Sequence, residues 1–380
     1  LALCSSNMED PTIIESKNHF DVLKYVGNSA NDSSGSTQSI TGLDFKPDWI
    51  WVKNIDTAAD HRTVDSARGA QKTLYISGTY DENAGDDGTD GITSFTAAST
   101  SGAGGFAVGQ HTGFNKQNDN FVAWCWKANG GVATLTNDAS ATSVGNLDSV
   151  CQANTDAGFS IVTYTGQNAA TTVAHGLGKK PAMVIVKQRT DNSTEWIIGH
   201  QEFATNPFDN NKFYKFDTTA SLFTNSLVFG TTPTTTEIAL TTGTAANLTA
   251  ASKNFVMYCF AEIDGFSKFG SYNGIGDDNN DGVFVFTGFK PAFVMIRRVG
   301  GAASNWLIMD NARSPRNIGL TANCLAADQT HTEATISTRG IDFVSNGFKI
   351  TTSAADMDGA GNDYIYMAFA EQPFKYANAR

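Results

Sequence analysis

At 380 residues, 41% hydrophobic and 17% charged, the chain is long enough for several domains, too apolar for disorder and too polar for a membrane protein. Its formal net charge of −12, with 38 acidic against 26 basic residues and no basic run, disfavours capture of nucleic acid or anionic lipid. No apolar run approaches the roughly 18 residues of a membrane span, so membrane insertion is not expected.

Residues 1–19 read as an N-terminal arm from an upstream region. The chain opens on Leu1, and the Leu1–Cys4 stretch is too short for a signal peptide, so a longer or processed polypeptide is expected. From residue 20 an internal repeat organises the sequence. Three segments carry Lys-Pro, then an apolar run ending in a base: Lys46-Pro47 to Lys53, Lys180-Pro181 to Lys187, and Lys290-Pro291 to Arg297. Each is followed by an aromatic run, Phe121–Trp126, Phe255–Phe260 and Tyr364–Phe369, at proline-to-aromatic spacings of 74, 74 and 73 residues. Three such spacings between matching strands do not arise by chance. A Tyr-x-Gly sequence closes the first strand of each unit, at Tyr25, Tyr164 and Tyr272. A Gly-Phe start precedes the last strand at Gly105-Phe106 and Gly347-Phe348, with a looser version at 227–230.

The predicted units are 20–130, 159–264 and 265–380, with 131–158 a linker or edge hairpin rather than a core element. The second and third units join almost directly, through Glu262–Gly265, so the first pair is expected to be the more hinged. Short strands separated by Asn-Gly, Asp-Gly and Gly-Gly turns predict an all-β chain. The predicted architecture is three tandem antiparallel β-sandwich repeats of jelly-roll or lectin-like type. Helical turns fit only 67–74 and 322–328. Each motif proline stands at the start of its strand, where a missing N–H costs least.

Five cysteines without a CxxC spacing argue against a disulfide framework or zinc site. They read as thiols of a protein made in a reducing cytoplasm. The six histidines read as solvated loop residues, with no HExxH motif, and no G-x-S-x-G elbow or P-loop is present. Asp65-x-x-Arg68 and Asp310-x-x-Arg313 mark the outer units but not the middle one, so the pair is not required by the fold. Trp49, Trp51, Trp124 and Trp126 lie two apart on predicted strands. Core packing is the plain reading, and a sugar-stacking platform the alternative. In Asp277-Asp278-Asn279-Asn280-Asp281-Gly282, residues Asp277, Asn279 and Asp281 take positions 1, 3 and 5 of a calcium loop. Position 12 is Gly288 where a glutamate is wanted, so a polar turn is the plain reading and Ca2+ the alternative; the Asp86–Gly91 stretch is a weaker version.

Taken together, the 42–53 run (Gly-Leu-Asp-Phe-Lys-Pro-Asp-Trp-Ile-Trp-Val-Lys), Asp65–Ala70, the 121–128 aromatic run, Phe286–Arg298, Ser345–Ile350 and Tyr364–Phe374 resemble a module of tailed-bacteriophage structural proteins, of the type found in marine phages. The resemblance runs the length of the chain. It implies a non-enzymatic virion protein, made in the host cytoplasm, with no catalytic residues carried over. A tail fibre or other appendage used in host attachment is the first expectation, a capsid decoration or head-fibre protein the second, and a polysaccharide depolymerase the third. Expected partners are other virion proteins, copies of itself (a trimer by analogy with fibres, through the exposed aromatics and Asp-x-x-Arg loops) and a host surface glycan, with 78–91, 115–120 and 356–363 as candidate loops.

Overall fold

The computed structural model describes residues 8–377, except 32–34, 83–89, 168, 204–207, 209–211, 224–227, 242–252, 278–280, 316, 318–322 and 334–337. The first unit contributes β1 (Phe20–Val26), β2 (Gln38–Leu43), β3 (Trp49–Asn54), β4 (Arg62–Asp65), β5 (Leu74–Tyr75), β6 (Ile92–Thr96), β7 (Gly104–Val108) and β8 (Asn120–Trp126). Next come β9 (Leu135–Asn137) and β10 (Ser149–Asn154), then β11 (Phe159–Thr165), β12 (Thr171–Ala174), β13 (Met183–Gln188), β14 (Ile197–His200), β15 (Tyr214–Lys215), β16 (Glu237–Leu240) and β17 (Asn254–Phe260) of the second unit. The third supplies β18 (Ser267–Asn273), β19 (Phe284–Phe286), β20 (Phe289–Val299), β21 (Leu307–Asp310), β22 (Leu325–Ala326), β23 (Ile341–Val344), β24 (Gly347–Ile350) and β25 (Asp363–Pro373). The chain is all-β. Its described α-helices, Thr112–Asn115 and Ala139–Thr142, are single turns.

Three large antiparallel sheets share one strand order: β1-β8-β3-β4-β5, β11-β17-β13-β14-β15 and β18-β25-β20-β21-β22. In each, the opening strand and the Lys-Pro strand flank the closing aromatic strand. Smaller sheets accompany them, β2-β7-β6, β12-β16 and β19-β24-β23. The Tyr-x-Gly tyrosines sit in one register. Tyr25 stacks on Phe121 at 5.1 Å, Tyr164 on Phe255 at 5.2 Å and Tyr272 on Tyr364 at 4.9 Å, with rings within 11° of parallel. In the outer units the hydroxyl also donates to the loop before the closing strand, Tyr25 to Phe114 O at 2.7 Å and Tyr272 to Met357 O at 2.6 Å. The motif thus ties the first strand to both the last strand and its lead-in loop.

Strand alternation places the two faces of each large sheet against different layers. On β3, Ile50 and Val52 pack with Ile40, Phe106 and Val108 of the small sheet. Trp49 and Trp51 face the other way, into a core shared with Phe159, Tyr258 and Phe260 of the second unit and Phe293 and Phe369 of the third. Both faces are therefore apolar because one meets the unit's own small sheet and the other meets its neighbours.

Two points differ from the sequence reading, the exclusion of 131–158 from the core and the helical turns at 67–74 and 322–328. Residues 131–158 lengthen the second large sheet, β10 pairing with β11 and β9 with β10, and Cys151 and Ala153 lie in that unit's core. The segment covers the opening-strand edge, which in the outer units is capped by side chains instead. Asp21 Oδ1 accepts Val22 N–H at 2.8 Å on β1; on β18, Glu262 accepts Phe269 N–H and Gln201 donates to Phe269 O. The turns expected at 67–74 and 322–328 give way to β5 and β22. Asp65 and Asp310 each accept the N–H three residues on, from Arg68 at 2.8 Å and Arg313 at 2.9 Å, closing a tight turn instead of a helix.

Candidate functional site

The Asp-x-x-Arg pairs lie at seams between units. Asp65 ends β4, fully buried, with Arg68 Nε 2.5 Å from its Oδ2. The same oxygen accepts the hydroxyl of Tyr258, from the second unit, at 2.6 Å. Asp310 ends β21 with Arg313 Nε at 2.6 Å, and its Oδ2 accepts Trp124 Nε1, from the first unit, at 3.0 Å. Trp124 and Tyr258 are each the fifth residue of a closing strand; in the third unit that residue is Met367, which has no proton to donate. The position matching Asp65 and Asp310 is then His200, which ends β14. His200 Nδ1 accepts Glu202 N–H, so Nε2 carries the proton and donates to Tyr366 O at 3.3 Å. The donor and its acceptor change together, and the three seams close a ring: second unit on first, first on third, third on second.

Further contacts follow the same cycle. Four residues after β5, β15 and β22 stand Thr79, Thr219 and Thr330, whose carbonyls accept Ser193 N–H, Ser304 N–H and Ala59 N–H from the neighbouring unit at 3.0–3.1 Å. The bases ending the Lys-Pro runs reach the same loops, Lys187 to Thr79 O at 3.1 Å, Lys53 to Thr330 O at 3.5 Å and Arg297 to Ala220 O. Trp196 Nε1 donates to Tyr75 O at 2.7 Å and Trp306 Nε1 to Lys215 O at 3.2 Å. The residue in their place in the first unit is His61, beside the Ala326 carbonyl, with its Nδ1 accepting Trp51 Nε1 at 2.9 Å. Glu82 adds a two-pronged ion pair to Arg189 across the first seam, both bonds 2.9 Å.

Burial sets the protonation of these groups. It pushes His200 down to about 4 and His61 well below the ordinary imidazole value. It lowers Lys53 and Lys187 to about 8. Burial also opposes the Arg68 charge, but Asp65, Tyr258 and Glu82 outweigh it and hold the guanidinium protonated. His61, His175 and His200 are thus interior groups, contrary to the solvated-loop reading, because a neutral imidazole accepts at Nδ1 a proton from within its own unit. Trp49, Trp51, Trp124 and Trp126 are at most 1% exposed. They pack the core between the units, offer no platform to a sugar, and with the Asp-x-x-Arg turns make contacts within one chain rather than between copies.

Of the calcium-loop residues, Asn279 lies outside the described residues. Asp281 is exposed and bonds Lys349 Nζ, while Asp277 neighbours Asp358. No group of three or more His, Cys, Asp or Glu side chains able to hold a metal ion occurs among the described residues. Of the candidate glycan loops, 83–89 lies outside the described residues.

Sequence reasoning missed one surface feature. Beside the junction of the second and third units lies a groove of about 540 Å³, lined by Met8, Glu262, Asp264, Lys268, Phe286, Gly288 and Phe374 among others. Phe286 is 62% exposed and Phe374 38%. Lys268 Nζ meets Glu262 at 3.2 Å, whereas the exposed Asp264 carboxylate has no partner among the described residues. Gly288 lies between: a Cβ there would stand 3.9 Å from the Phe286 ring and 4.0 Å from Asp264 Oδ1. β19 is the outer strand of its sheet and leaves Phe284 and Phe286 exposed.

No curated protein matches the chain significantly. The profile of one family matches residues 15–373, and the chain belongs to that family, described as a domain of unknown function (DUF7483).

Proposed function

We propose that the chain is a non-enzymatic virion structural protein of a tailed bacteriophage, a tail fibre or appendage used in host attachment, built of three tandem antiparallel β-sandwich repeats of jelly-roll or lectin-like type. The observation that carries this reading is the closed cycle of buried contacts between three sheets of one strand order. Such a ring spends its large faces on rigidity and leaves loops and outer strands to meet a partner, which suits a particle exposed outside the cell. The phage-like motifs named above supply the context. Because the large faces are used inside the chain, self-association as a trimer would run through the remaining surfaces.

The test is position on the particle. Antibody labelling and cryo-electron microscopy of intact virions, with mass spectrometry of their proteins, should place the chain on the tail. A capsid position would move it to decoration, and absence from particles sinks the proposal. Ca2+ at Asp277, Asn279 and Asp281 is a separate question. Asp281 is already paired with Lys349, so thermal melts with and without excess EDTA should coincide; a clear loss of stability in EDTA would establish the ion.

A further inference from the structure

We propose that the groove between Phe286, Phe374 and Asp264 binds a neutral saccharide. The inference rests on the attachment reading for the source of its ligand, while its chemistry stands on the groove alone. A pyranose needs an exposed aromatic face for its C–H groups together with hydrogen-bond acceptors and donors for its hydroxyls. Phe286, at 62% exposure, supplies the face, with Phe374 also exposed in the same lining. Asp264 supplies two acceptor oxygens with no partner among the described residues, and Lys268 supplies donors beyond the one it gives Glu262. These groups converge over Gly288, where the missing side chain leaves the Phe286 ring and Asp264 Oδ1 each about one van der Waals contact from the same open point. The volume of about 540 Å³ falls in the range of small-ligand sites.

Two competing ligand classes fit less well. A cation would enjoy the aromatic ring and Asp264 but would meet the Lys268 ammonium in the same lining. An acidic sugar would face Asp264, Glu262 and a chain of net charge −12. The corresponding places in the other units do not repeat the arrangement. Asp44, three residues before the first motif proline as Gly288 is before the third, is engaged by Ser101 and by the Gly102 N–H. In the second unit the matching residue is Gly178, where an added Cβ would meet nothing within 4 Å, so the arrangement is particular to the junction of the second and third units.

The whole chain is titrated with maltose, cellobiose, lactose and mannobiose, and with choline and sialyllactose, by saturation-transfer NMR. At least one neutral disaccharide should bind, insensitive to moderate salt, and both Phe286→Ala and Asp264→Asn should weaken it about tenfold or more. Val132→Ser, at a 63% exposed residue outside the groove, should leave it unchanged. Because Phe286 and Asp264 are exposed, both variants should melt with the parent. No binding of any neutral disaccharide, binding that survives either variant unweakened, or preferential binding of choline or sialyllactose overturns the assignment. A negative result from particle labelling with sugar binding intact would sink the attachment reading and leave the groove standing.

Discussion

The hydroxyl of Tyr258 donates to Asp65 Oδ2 at 2.6 Å across a seam between two units, and Arg68 holds the same oxygen at 2.5 Å. All three groups are buried, so the hydrogen bond is charge-assisted and lies in low dielectric. Tyr258→Phe removes the proton donor while keeping the ring that stacks on Trp49 at 4.5 Å. The expected cost is about 1.5–3 kcal/mol. Asp65→Ala should cost more, about 3–5 kcal/mol, because it strands the Arg68 charge. Chemical denaturation of the two variants checks the order; equal costs would mean that the carboxylate serves only as the acceptor for Tyr258.

The shared core predicts how the chain unfolds. One hydrophobic cluster draws Trp49 and Trp126 from the first unit, Phe260 from the second and Phe293 and Phe369 from the third, with ring centroids 4.4–6.3 Å apart in chain. Loss of one unit would expose aromatic faces of both others, so calorimetry should give one dominant transition. Trp126→Ala, which empties a site touching the third unit, should lower it as a whole by about 3–5 kcal/mol. Separate transitions, with only one of them shifted by this variant, would mean that the units unfold independently.

Much of this was legible in the residues, and the limits have a physical cause. The Lys-Pro and aromatic runs mark adjacent strands of each large sheet, and the Tyr-x-Gly tyrosines mark the stacked pair beside them. The Asp-x-x-Arg turns could be seen as pairs, but not as receivers of Tyr258 and Trp124, which are 193 and 186 residues away. The seam between the second and third units concealed the cycle because His200 of the second and Met367 of the third replaced acceptor and donor together. The two-residue spacing puts Trp49 and Trp51 on one face and the equally apolar Ile50 and Val52 on the other, without saying that one layer is a small sheet and the other two further units. The groove left no periodic trace, since Asp264, Phe286 and Phe374 come from a junction, an outer strand and a terminal 3-10 turn.

Acid should loosen the ring first at its histidines. Burial takes His200 and His175 to about 4 and His61 well below its ordinary value, whereas the unfolded chain protonates each near 6.5. The folded state thus binds fewer protons. The stability these groups contribute is whole above about pH 6.5 and is lost as pH falls towards 4. Asp217, raised by burial to about 6, works in the opposite direction over part of that window and offsets one histidine. His200→Gln isolates the seam group, and should flatten the pH dependence of the unfolding free energy, from denaturant titrations, by up to about 1.4 kcal/mol per pH unit. An unchanged slope would mean that His200 is protonated in the folded chain.

The four described cysteines give a last, independent check on the closed core. Cys125, Cys151, Cys259 and Cys324 are free and buried, and burial pushes Cys151 up to about 11 and Cys324 to about 12, with Cys125 and Cys259 also raised. Only the thiolate is nucleophilic, so in the native chain at neutral pH these thiols should not react with a disulfide reagent. Digestion and mass analysis after labelling should find all four unmodified, and all four modified once denaturant is added. Because the unfolded thiols ionise near 8.5, the stability they contribute is whole below that pH and declines as pH rises towards 11–12. Cys125 and Cys259 occupy the sixth place of closing strands whose third counterpart is Ala368, so Cys125→Ala has a precedent in the chain itself. That variant should fold and should soften the alkaline decline by one thiol's share. Native labelling of Cys125 or Cys259 at neutral pH would show that the closing strands open to solvent, and would count against a ring closed on all three sides.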